Sequence, residues 1–158
     1  MESLESDSIG LLEHAGWVGG EREDVSDVVD VLRALEFKVS DAAIDFLSHF
    51  ARLRVTHEPS IVLDGGKSCS HTTFDPTRVA TSRDSRIARR CSKIIGLDIC
   101  PVGTDGFHFT IYITPDYRFF AGRDASVFQY AETVNGLFRA MRSGIRPTYV
   151  GDWSLADG

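Results

Sequence analysis

Two spacings of apolar residues alternate along the chain, and each change of spacing predicts an element. The clearest period of two runs from Phe107 to Ile113. Phe107, Phe109, Ile111 and Ile113 fall on one side, with His108, Thr110 and Tyr112 on the other, as in a half-buried strand. Thr114-Pro115-Asp116-Tyr117 then suits a hairpin turn, because proline presets φ and aspartate favours turns. Arg118 to Ala121 returns as a strand, and Ile99 to Gly103 precedes the pair, with Pro101 suited to a strand end or an edge. An antiparallel meander follows from this order, and helices must cover it.

Helical spacing governs most of the remainder. A first helix is expected from Ser8 as N-cap through Leu11, Leu12 and Ala15, stopped by Gly16. A second starts near Asp24 or Ser26 and carries the stripe Val28, Val31, Leu32 and Leu35. The third has the clearest pattern, with Ser40 or Asp41 as cap and Ala43, Phe46, Leu47 and Phe50 on one face. Leu53 to His57 switches to period two, Asp64-Gly65-Gly66-Lys67 reads as a turn, and Cys69 to Phe74 as a second strand. A helix from about Asp84 to Ile95 places Ile87, Cys91, Ile94 and Ile95 inward, with Gly96 as its stop. Val127, Ala131, Val134, Phe138 and Met141 keep helical spacing to Gly144, so the last helix is expected from about Val127, with Pro147 blocking its continuation. The order predicts an α+β fold: a central antiparallel sheet of about five strands flanked by helices. Residues 8–148 form the single domain, with flexible ends at 1–7 and 149–158.

Bulk properties change this picture little. The 158 residues are 42% hydrophobic and 25% charged, an ordinary globular balance. The opening MESLESDSIG lacks the basic start and apolar run of a signal peptide, and no stretch has the length of a membrane span. Three cysteines at wide separations fit a reducing compartment better than a disulfide framework. A soluble cytoplasmic domain is expected.

Charge is more informative in its distribution. Residues 1–50 hold twelve Asp/Glu and three Lys/Arg, while residues 51–158 hold eleven and fourteen, which together make the net −6. An acidic chain gains nothing from nucleic acid through its overall field, but its amino-terminal third could attract a basic partner. Arg83, Arg86, Arg89, Arg90 and Lys93 form a basic helix face without interleaved aromatics, read as a solvated face turned toward the acidic third.

Candidate chemistry is sparse. Cys69 and His71 share a strand face, but no CxxC or HxxxH partner accompanies them, so no metal site is expected. There is no nucleophile elbow and no cysteine in a setting that would depress its pKa. Gly19-Gly20 and Gly65-Gly66 lack the companions of a phosphate-binding loop and read as turns; no cofactor is implied. A small hydrolase built on His57 or His71 with a neighbouring carboxylate is the least supported reading.

Several blocks occur in a telling order: Leu12-x-x-Ala15-Gly16-Trp17, Leu35-x-Phe37-x-Val39, Ala42-x-x-x-Phe46-Leu47-x-x-Phe50, Cys100-Pro101-Val102-Gly103 and Ser143-Gly144-x-Arg146-Pro147. In this the chain resembles the SUKH superfamily of bacterial immunity proteins, most closely its third subfamily. Three stretches depart from that pattern. Glu21 splits the Gly20 and Arg22 that would be adjacent. Ala51-Arg52-Leu53 stands where Gly-Gly-Leu is frequent, and Asp116-Tyr117-Arg118 where Asp-Gly-Arg is favoured. The resemblance implies the SUKH (Smi-Knr-like) fold, no catalytic residues, and a cognate polymorphic toxin as partner, often a nuclease. Because nucleases need basic clefts for phosphate, Glu21, Glu23, Asp24, Asp27 and Asp30 become the candidate contact residues. A scaffold or peptide-binding regulator of the same superfamily is the alternative.

Overall fold

The computed structural model describes residues 1–57, 70–78, 80–106, 108–144 and 147–153. The expected turn Asp64–Lys67, the strand start at Cys69, the strand start at Phe107 and Arg146 of the last motif lie outside the described residues.

Among the described residues, five helices and seven strands follow one another as α1 (Ser6–His14), α2 (Ser26–Ala34), α3 (Asp41–Phe50), β1 (Arg54–His57), β2 (Ser70–Thr73), α4 (Ser82–Ile95), β3 (Cys100–Asp105), β4 (Thr110–Ile113), β5 (Phe119–Arg123), β6 (Ser126–Ala131), α5 (Val134–Ser143) and β7 (Thr148–Asp152). A single-turn 3-10 helix, Pro76–Arg78, stands between β2 and α4. The strands make one antiparallel sheet in strict chain order, β1 to β7. The α+β class holds, with two strands more than the five expected.

The caps explain the boundaries. Ser40 accepts the Ala43 amide at 3.2 Å to open α3. Thr81 and Asp84 form a reciprocal capping box on α4, so that helix starts earlier than Asp84. Gly96 and Gly144 close α4 and α5 in the left-handed conformation. Ser8 is not the cap expected of it: α1 begins at Ser6, and Ser8 is buried within the helix. On α2 the inward stripe is Val25, Val28, Val29 and Leu32, whereas Val31 is 42% exposed. Starting the i, i+3, i+4, i+7 pattern at Val25 accounts for that rotation.

The last helix also differs from expectation. Residues 126–131 form β6, and α5 begins only at Val134, capped by Thr133. The pairing slips twice: facing Phe119 and Phe120 of β5, the β6 partners jump from Ala131 to Gln129, and facing Val127 and Phe128 of β6, the β7 partners jump from Gly151 to Tyr149. The first makes Tyr130 an extra residue of β6 and breaks that strand's period of two, leaving Val127, Ala131 and Val134 at a spacing that mimics a helix; the second makes Val150 an extra residue of β7. Thr148–Asp152 pairs with β6 as the outer strand β7, which takes in Tyr149 to Asp152 of the stretch expected as tail.

One sheet face is packed by α3 and α5. Phe46 of α3 lies 4.9 Å from the Phe50 ring, 5.3 Å from Phe74 and 5.2 Å from Phe119, and Phe50 lies 5.2 Å from Phe138 of α5. The second face is covered as well. Tyr112, expected on a polar side, is buried where α4 brings Cys91 and Asp84 beside it, so β4 is closed on both faces. The turn Thr114–Tyr117 joins β4 to β5 as expected, with the Thr114 amide bonded to the Arg118 carbonyl at 2.9 Å. Pro101 sits next to the start of β3 and beyond the part of that strand paired with β2, which tolerates its missing N–H. Ahead of α1, the Asn135 side chain accepts the Glu5 amide at 2.8 Å and donates to the Ser3 carbonyl at 2.9 Å.

Gly103 permits the closest approach in the sheet, because a β-carbon there would run into the Thr73 carbonyl oxygen and press on Phe74. Gly103→Ala is expected to lower stability by about 1–3 kcal/mol. Phe46→Ala, which empties the ring cluster, is expected to cost about 3–5 kcal/mol. Urea denaturation followed by circular dichroism checks both; unchanged midpoints would show that this packing is not what holds the sheet.

Candidate functional site

The acidic face is assembled on α3. Gly16, in the left-handed region at φ 92°, ends α1 and turns the chain toward α3. Trp17 then donates its indole N–H to the His49 carbonyl at 3.0 Å, and its ring lies 6.0 Å from Phe50. Arg22 reaches Asp45 at 2.8 Å, and the Glu23 amide donates to the Ser48 carbonyl at 2.8 Å. Asp24 accepts the Ser26 amide at 2.9 Å and its hydroxyl at 2.7 Å, which starts α2. Those two bonds, the backbone one foremost, hold the Asp24 carboxyl below its ordinary pKa. With Val28, Val29 and Leu32 turned inward, Asp27 and Asp30 face solvent.

Arg52, directly after α3, binds the face together. Its guanidinium donates to Glu23 at 2.7 Å and to Asp27 at 3.0 and 3.3 Å. The Glu23 bond first and the Asp27 charge next raise its pKa further. A shallow depression of about 420 Å³ opens beside the Glu23 bond, floored by Val25, Val29 and Ile44. Glu23, Asp24 and Asp30 line its rim together with Arg22 and Arg33. Asp27 joins through Arg52, whereas Glu21 is not among the lining residues and sits in the preceding loop, its amide 3.4 Å from the Val18 carbonyl. The structure therefore brings four of the five candidate carboxylates together and interleaves them with arginines.

Beneath the face, Asp45 ties three segments to α3. It accepts the Tyr117 hydroxyl at 2.7 Å, Arg22 at 2.8 Å and the amino-terminal amine at 3.1 Å. Burial pushes its pKa up, but the Tyr117 bond and the two cations outweigh it and leave the carboxyl below its ordinary value. The Tyr117 phenol is pushed up to about 12, by burial first and by the Asp45 bond next. His49 lies 3.8 Å from Asp45, yet burial and then Arg22 lower its pKa, so it is neutral at pH 7.

No periodicity or motif in the sequence marks Arg52 or Tyr117 as a site residue. Both have left-handed backbones, at φ 66° and 63°, which favour glycine. They occupy the two places where the SUKH resemblance favours Gly. The departures from the family pattern were the available signal: a side chain held at a glycine-like position has a contact to make.

The other candidates separate. His57 is buried on β1 with Nε2 2.8 Å from the Thr72 hydroxyl. Register pairs Thr56, not His57, with His71, so the two histidines point to opposite faces and cannot act on one substrate. Burial pushes the Cys91 thiol up to about 11 and the Cys100 thiol up to about 12, which keeps both protonated at neutral pH. Among the described residues no three His, Cys, Asp or Glu side chains converge to hold a metal ion. On the basic helix, Arg89 meets Glu36 at 3.2 Å, and Arg90 stacks 4.6 Å above the Trp153 ring.

This geometry defines a small α+β domain that presents charged, shallow surfaces. A family model for the SUKH-3 immunity proteins matches residues 5–144, and the chain belongs to that family. Neither a search of curated proteins nor one of solved structures found a significant match.

Two outcomes follow from the strained positions. Arg52→Gly should be more stable than Arg52→Ala by about 1 kcal/mol, because both lose the ion pairs and only alanine keeps the left-handed cost; equal urea midpoints would refute this. Tyr117→Phe weakens the support of a carboxyl whose folded pKa is depressed. The stability that carboxyl contributes is present above its ordinary 3.8 and is lost as pH falls through the folded value. The gap between wild type and Tyr117→Phe should thus be full at neutral pH and narrow below about pH 4, as read from denaturation across a pH series.

Proposed function

We propose that this protein is a non-enzymatic immunity protein that binds a cognate polymorphic toxin in the bacterial cytoplasm and blocks it, and that the toxin is a nuclease. Membership of the SUKH-3 immunity family supports a toxin as partner. The observation that carries the contact surface is the α2 face, where Glu23, Asp24 and Asp30 border an apolar depression and Asp27 is tied to Glu23 through Arg52. Apolar floor and polar rim match the anatomy of a protein interface. A nuclease presents a basic cleft to phosphate, and carboxylates aimed at it speed the encounter and exclude substrate by occupying the same field. Arg52 keeps Glu23 and Asp27 ordered before contact, which lowers the entropy lost on binding. Among the described residues no helix is long and apolar enough to cross a membrane, which agrees with this setting.

The test combines Glu21→Lys, Asp27→Lys and Asp30→Lys, leaving the Asp24 cap intact. Association with the cognate toxin, sought by testing neighbouring open reading frames for toxicity that this protein relieves, should slow by about ten-fold or more at low salt and converge with wild type at high salt. Co-expression should show wild type rescuing cells and the variant rescuing them less well. An unchanged rate with an unchanged salt slope removes the acidic face as the contact surface; failure of the wild-type protein to bind or rescue removes the immunity reading.

A further inference from the structure

A second surface, on α4, has the opposite charge and its own geometry. Residues 82–95 carry Arg83, Arg86, Arg89, Arg90 and Lys93 against the single carboxylate Asp84. That carboxylate is engaged in its own helix cap, accepting the Thr81 amide at 2.9 Å. All five cations are exposed. They border an open groove of about 910 Å³ whose opposite wall is the Asp124-Ala125 turn and Trp153. That wall is pinned: the Trp153 amide donates to the Ala125 carbonyl at 2.9 Å, and its indole N–H to the Asp124 carbonyl at 3.0 Å.

We infer that this groove docks an acidic polypeptide segment of a protein partner, in extended conformation along α4. Arg83, Arg86 and Lys93 span ten residues of helix, about 15 Å at 1.5 Å per residue. An extended chain rises about 3.3 Å per residue, so roughly five residues cover that length and present two or three carboxylates to the cations. Arg90, stacked on Trp153, stiffens the middle of the row, and the half-buried Ile87 gives the segment an apolar strip. Nucleic acid fits less well. The lone aromatic of the groove is already covered by Arg90 and its N–H is engaged, so it offers no face for a base. This inference does not depend on the α2 face.

The test is fluorescence anisotropy of the full-length protein with a labelled alternating Asp-Glu dodecapeptide, beside a labelled twelve-nucleotide thymidine strand. Wild type should bind the peptide at low salt, release it as salt rises, and bind the strand more weakly. Arg83→Glu, Arg86→Glu and Lys93→Glu combined should lose about ten-fold or more in peptide affinity, with an unchanged melting profile because the three side chains are exposed. Trp153 emission should shift on peptide addition and fail to shift in the triple variant. The inference is overturned if wild type ignores the peptide, if the triple variant binds it as well as wild type, or if the strand binds as tightly. A salt-sensitive self-association abolished by the same triple variant would overturn it in favour of a second copy as occupant.

Discussion

The interlock of Phe46 and Phe50 with Phe74, Phe119 and Phe138 is what the rest of the molecule depends on. Rings about 5 Å apart at tilted and edge-on angles combine a large burial of apolar area with favourable quadrupole contacts. They fix α3 against the sheet. Once α3 is fixed, its outer side becomes a rigid rail: His49 and Ser48 offer carbonyls to Trp17 and Glu23, and Asp45 offers its carboxylate to Arg22 and Tyr117. The acidic face is thus a loop and a short helix held on a packed core, an arrangement that keeps charged side chains ordered without burying them.

Among the described residues, three of the five non-glycine positions with left-handed φ stand at the joints of this assembly. Glu36, Arg52 and Tyr117 all adopt left-handed φ without being glycine, at roughly 1 kcal/mol each. Each also makes a contact between distant segments: Glu36 with Arg89, Arg52 with Glu23 and Asp27, Tyr117 with Asp45. The exposed ion pairs among them are individually weak. Their value lies in direction, since a side chain leaving a tight turn at a fixed angle aligns the loop it touches.

Net charge conceals this organisation. Carboxylates gather on α2 and cations on α4, and the pair between Glu36 and Arg89 is where the two regions meet. Surfaces of opposite sign on one small domain share no charged group, and salt would screen both while leaving the core untouched. The arginines among the α2 carboxylates, Arg22, Arg33 and Arg52, moderate the field there.

Read alone, the sequence determined the elements whose causes are local. The α3 stripe, the Thr114–Tyr117 hairpin, the Gly96 and Gly144 stops and the exposure of Asp27 and Asp30 all rest on preferences acting over three or four residues. Tertiary structure decided the rest. A bulge on β6 turned a strand into an apparent helix, β7 exists only because β6 offers it a partner, and α4 made both faces of β4 interior. The candidate carboxylates were legible by their charge, but the Arg52 clamp joins residues 25 and 29 apart and the Tyr117 bond residues 72 apart. No local spacing encodes such contacts, because they form only after packing has brought the segments together.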